Sequence, residues 1–146
     1  MVVNMKTKAS FASMLLMFMV VLSPRAAHAD LGYWSAMLVG IWRHPTSGDV
    51  YRFKSDATYS RSRAKPTVKS VIGDSGYWKI VQPTTKESGG SQEGPVALLL
   101  KQRKLVFQKN GRRYARNSRI EKRLVVDTVG NKNYYKIDGT NWKSVK

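Results

Sequence analysis

From residue 37 onward, apolar and polar residues alternate with a period of two almost throughout, and turn-forming residues break the alternation at short intervals. This pattern predicts half-buried antiparallel strands joined by tight connections. Strands are expected at 37–43, 50–54, 58–63, 76–81, 96–100, 105–109, 112–116, 124–129 and 134–137. Tyr51 and Phe53 point one way, and Val50, Arg52 and Lys54 the other.

One hairpin stands out. Asn110-Gly111 suits a type I′ turn, because both central residues need positive φ. The implied register sets Lys109 opposite Arg112, Phe107 opposite Tyr114 and Leu105 opposite Arg116. Phe107 and Tyr114 then form an aromatic cross-strand pair. Residues 64–74 read as a loop, and 82–95, with Gly and Pro near each end, as a mobile loop. Residues 31–38 read as a short helical turn capped by Asp30, with no helix expected beyond it.

Strands in chain order imply an all-β fold: an antiparallel up-and-down meander of about eight strands. Such a sheet must close or partly close into a barrel to bury its face and protect its edges. The expected interior is Trp42, Tyr51 or Phe53, Trp78, Leu98, Phe107, Tyr114, Val125 and Tyr135. In a strict meander the 64–74 and 82–95 loops fall at opposite ends.

Residues 1–29 carry a different signal. Lys6 and Lys8 precede an apolar run over 11–22, Ser23-Pro24 breaks it, and Ala27-His28-Ala29 offers small-x-small cleavage before Asp30. This is the grammar of an export signal, and the run is too short to span a bilayer. The expected organisation is a signal peptide at 1–29 and one domain at 30–146, with no membrane span after cleavage. The chain has no Cys, hence no disulfide framework, which fits a bacterial periplasmic or extracellular location.

Leu38-Val39-Gly40-Ile41-Trp42, then Tyr51 to Tyr59 with Asp56-Ala57-Thr58, then Gly76-Tyr77-Trp78, resembles the small lipocalin-like, calycin-type domains of exported bacterial proteins. Those domains pair two Gly-x-Trp strands with a strand turning at Asp-Gly-Thr. The resemblance covers residues 37–138 and implies an eight-stranded barrel or half-barrel. Ala57 stands where the family has Gly, so the turn is expected to avoid positive φ there. A binding module of this kind would take a small apolar ligand against Trp42, Phe53, Trp78, Phe107 and Tyr114.

Catalysis has little to stand on. His44 is the one histidine after the signal, and one His without Cys supplies neither a triad nor a metal site. Asp49, Asp56, Asp74 and Asp138 adjoin small residues at expected turns, and no carboxylate pair has acid–base spacing. Asp127, on a strand, is the one carboxylate that stands apart from the turns. No enzyme activity, metal or cofactor is expected.

Charge changes the picture most. Without Lys6, Lys8 and Arg25, 23 basic residues face nine acidic ones, a net +14 over 117 residues. Ten of those cations fall in one stretch: Lys101, Arg103, Lys104, Lys109, Arg112, Arg113, Arg116, Arg119, Lys122 and Arg123, opposed by Glu121 alone. Like charges facing each other across strands cost stability unless an anion offsets them. The cluster therefore points to a polyanion: lipopolysaccharide or another anionic cell-envelope component, an acidic polysaccharide, or nucleic acid. Inhibition of an acidic secreted hydrolase is a further alternative, since a basic target would be repelled.

Overall fold

The computed structural model describes residues 30–66, 69–90, 94–131 and 133–145. The expected export signal lies outside the described residues. The elements are α1 (Leu31–Leu38), β1 (Gly40–Arg43), β2 (Val50–Phe53), β3 (Thr58–Ser62), β4 (Val71–Val81), α2 (Thr85–Ser88), β5 (Val96–Lys109), β6 (Arg112–Asn117), β7 (Glu121–Thr128), β8 (Tyr134–Ile137) and β9 (Thr140–Ser144). No helix among the described residues is long and apolar enough to cross a membrane.

The strands form an antiparallel meander in which β9 pairs with β1 and β4 with β5, closing an eight-stranded barrel with β6 as an extra strand. Its core is aromatic: Trp34, Trp42, Tyr51, Phe53, Tyr59, Trp78, Tyr135 and Trp142 are all buried. Period-two alternation puts Tyr51 and Phe53 inside and leaves Arg52 outside. On the last strands Tyr135, Ile137 and Trp142 are buried by the same rule, and on β7 the buried valine is Val126, with Val125 half-buried.

α1 plugs the end where β1 begins. The Asp30 carboxylate accepts the Tyr33 N–H at 3.0 Å, satisfying one free donor of the first turn. Eight residues are too few for a helix to stand alone, so packing holds it. Trp34 and Leu38, one turn apart, are buried, and Trp34 meets Tyr135 edge-on at 6.0 Å. The Trp42 indole N–H donates to the Leu38 carbonyl at 2.8 Å, tying the end of α1 to the barrel.

The structure corrects several expected elements. Residues 37 and 38 end α1, so the first strand starts at Gly40. β4 reaches back to Val71, into the expected 64–74 loop. The two strands expected at 96–100 and 105–109 are one, because β4 pairs across the polar stretch between them. The 82–95 segment contains the one-turn α2, closed by a Thr84–Glu87 capping box. β9 lies beyond the expected strands, yet it completes the barrel. Its signal lies in the sequence: Asp138 and Gly139, both with positive φ, turn the chain into a final alternating strand.

β6 and β7 are two halves of one return strand. The register along β5 passes from Lys104↔Asn117 to Lys101↔Glu121, so the return strand carries one extra residue, a bulge at 118–120. β8 pairs with β7 but not with β6. β6 therefore forms an extra edge strand beside the barrel: β4 stays paired with β5 as far as Val71↔Phe107, only the hairpin tip runs past it, and the outer β6 edge has no strand partner among the described residues. A second irregularity, at Ser75/Gly76, brings β4 so close to β5 that a Cβ on residue 76 would collide with the Lys101 carbonyl. Only glycine fits there.

Candidate functional site

The hairpin has the register that Asn110-Gly111 implies. Lys109 faces Arg112, Phe107 faces Tyr114 and Leu105 faces Arg116, with φ of 50° at Asn110 and 73° at Gly111. Phe107 and Tyr114 stack at 5.7 Å. Their position differs from the expected one. Tyr114 is 45% exposed and Phe107 half-buried: Phe107 still pairs with Val71 of β4, but β6, which carries Tyr114, is the edge strand outside the closed barrel. Trp42, Phe53 and Trp78 are buried as expected but pack on other rings: Trp42 on Tyr135 at 5.1 Å, and Phe53 on Trp78 at 5.4 Å and on Tyr51 at 5.3 Å. The five aromatics expected around a ligand thus divide between a filled core and an outer hairpin.

The ten-cation stretch divides three ways. Lys101 pairs with Glu121 at 3.3 Å, and Arg123 with Glu87 at 2.7 Å. Lys122 turns the opposite way from its neighbours, toward the barrel mouth, because it alternates with the inward Leu124 and Val126. The other seven, Arg103, Lys104, Lys109, Arg112, Arg113, Arg116 and Arg119, are exposed, and none has an ion pair among the described residues. Arg116 lies over the Phe107 ring and Arg103 over Tyr77, each at 5.8 Å. Those contacts use the arginine planes and leave the charges without counter-ions.

No protein-family model, curated protein or solved structure matches this chain.

A second polar group, unseen in the sequence, occupies the mouth opposite α1. Arg61 and Asp74, cross-strand partners on β3 and β4, form a buried ion pair. The Tyr59 hydroxyl donates to Asp74 at 3.0 Å, and burial together with that carboxylate pushes the Tyr59 phenol well above its ordinary pKa. Arg61 Nη1 also reaches the Tyr51 hydroxyl at 3.4 Å. Asp74 is thus a core residue and not the turn residue that Gly73 beside it suggested. Nearby, Gln102 is 3% exposed and accepts a hydrogen bond from Ser118 at 2.9 Å.

The remaining carboxylates expected at turns do serve turns. Asp56 accepts from the Thr58 N–H and hydroxyl, and Asp49 from the Ala64 N–H. Asp127 accepts from the adjacent Thr128 N–H. His44 Nδ1 accepts from the Thr46 and Ser47 N–H groups while its ring lies edge-on to Trp142 at 5.1 Å. Its acceptor nitrogen is thus committed to the β1–β2 turn.

Proposed function

We propose that this chain is an exported, non-enzymatic binding module of the lipocalin-like kind that docks an anionic glycan of the cell envelope through its β5–β6 hairpin. The observation that carries the reading is seven exposed cations, without ion pairs among the described residues, gathered on β5, β6 and the bulge after them at the open edge of the sheet. A surface kept basic only for solubility has no need to concentrate charge where Lys109 and Arg112 stand directly opposed. Anionic sugars bearing phosphate, sulfate or carboxylate would offset that repulsion, and arginine forks suit such groups. Nucleic acid is less favoured, because base stacking needs free ring faces and the Phe107 ring already contacts both Tyr114 and Arg116.

The test is heparin and lipopolysaccharide binding across a salt series, with single-stranded DNA as comparison. The logarithm of affinity is expected to fall linearly with the logarithm of salt concentration, and to collapse in R112E/R113E/R116E. Salt-insensitive binding, or full binding by the triple variant, would reject the hairpin as the site.

A further inference from the structure

At the mouth, three cations gather near one buried carboxylate, two of them lining a cleft and the third just outside it. Arg61 and Lys122 line a cleft of about 260 Å³. Arg63, half-buried just past β3, stands outside that lining but near enough for its charge to act on Lys122 and Tyr51. Asp74 has little left to offer the others: Oδ1 takes the Tyr59 hydroxyl, and Oδ2 takes both Nε and Nη2 of Arg61. Lys122 has no ion pair among the described residues, and Arg63 Nε is buried without a hydrogen-bond partner. Burial, then the Arg61 charge, pulls Lys122 below the usual lysine pKa, and Arg63 adds to this against Asp74.

Uncompensated buried donors are rare in folded proteins and mark a place where a partner belongs. The walls indicate what kind. Tyr51 accepts from Arg61 and keeps its own proton free to donate. Leu124, Ile137 and Trp142 supply an apolar side. Asp138 also borders the cleft, but on the exposed β8–β9 turn, where water screens its charge. The volume falls just below the range of about 300–1,000 Å³ usual for ligand pockets, so the occupant is small.

From this arrangement we infer that the barrel mouth binds a small organic monocarboxylate, its carboxylate held by Lys122, Arg63 and the Tyr51 hydroxyl and its apolar body against Leu124, Ile137 and Trp142. This site is separate from the hairpin and does not depend on it.

Hexanoate is the probe, with hexan-1-ol matching its apolar body and inorganic phosphate its charge. Calorimetric titration should give one hexanoate site, with both comparison compounds at least tenfold weaker. In NMR spectra the indole N–H of Trp142 should shift on titration while that of Trp34, at the far end, stays fixed. K122M and R63M should each weaken hexanoate at least tenfold, and Y51F less. K122M should melt no lower than the parent, since it removes a like charge beside Arg61, so its lost binding would not reflect lost folding. R112E/R113E should bind hexanoate as the parent does. Equal binding of hexan-1-ol would reduce the mouth to an apolar cleft, and equal binding of phosphate would remove the role of the apolar wall. No hexanoate binding, or undiminished binding by K122M and R63M together, would overturn the proposal.

Discussion

Arg61 and Asp74 meet on a single oxygen: Nη2 lies 2.6 Å and Nε 2.7 Å from Asp74 Oδ2, with the two side chains 13% and 3% exposed. The other oxygen holds Tyr59. A buried pair of this kind adds little over an apolar replacement of both partners, but removing one partner leaves the other charged in a poor solvent. At this site Arg63 and Lys122 aggravate the loss.

Asp74→Asn should therefore destabilise the barrel by about 3–5 kcal/mol, as measured by urea unfolding. Tyr59→Phe, which removes one hydrogen bond to a charged acceptor and no charge, should cost about 1.5–3 kcal/mol. Equal costs for the two would mean that leaving Arg61 without its counter-charge does not govern the loss.

Glu87 predicts an acid dependence. Both its oxygens accept from Arg123, at 2.7 and 2.9 Å, and one also takes the Thr84 N–H. The Arg123 fork, then the Thr84 N–H, lowers its pKa from the ordinary 4.5 to about 2. A carboxyl depressed in the folded state contributes fully above its unfolded pKa, and the contribution is lost as pH falls toward the folded value. Arg123 is 39% exposed, so water and salt hold the gain to about 1 kcal/mol or less. Glu87→Gln should melt below the parent at pH 6, with the gap closing as pH falls from 4.5 toward 2. A gap of constant size down to pH 2 would sink the assignment.

At the β2–β3 turn, Ala57 has a φ of 63°, contrary to the expectation that a non-glycine residue keeps the turn out of that region. Asp56 holds the turn closed from one side, and the Ala57 carbonyl accepts from the Trp78 N–H on the other. The left-handed conformation costs a Cβ-bearing residue about 1–2 kcal/mol, while glycine loses back part of that through unfolded-chain entropy. Ala57→Gly should raise stability by about 0.5–1 kcal/mol, seen as a melting point a few degrees higher. An unchanged or lower melting point would show that the turn carries no such strain.

Much of the barrel was legible along the chain. Alternation placed Trp42, Tyr51, Phe53, Trp78, Leu98 and Tyr135 inside. Asn110-Gly111 fixed a register across six residue pairs, because a two-residue turn with two positive φ angles admits no other. The cation cluster was legible too, as composition. Period-two reasoning says which residues share a face, but not how far a strand runs or where its neighbour ends.

The sequence by itself thus determined an antiparallel meander, its main interior residues and a basic hairpin. Only the tertiary structure decided that β9 closes against β1, that β5 runs unbroken past Lys101, and that one residue inserted at 118–120 divides β6 from β7. It alone separated Lys122 in the mouth from Arg112 and its exposed neighbours, and carried Asp74 into the core beside Arg61. The physical reason is common to all of these. Strand pairing is non-local, and a single bulged residue moves a side chain from one face of a sheet to the other, so inside and outside are settled only when distant strands meet.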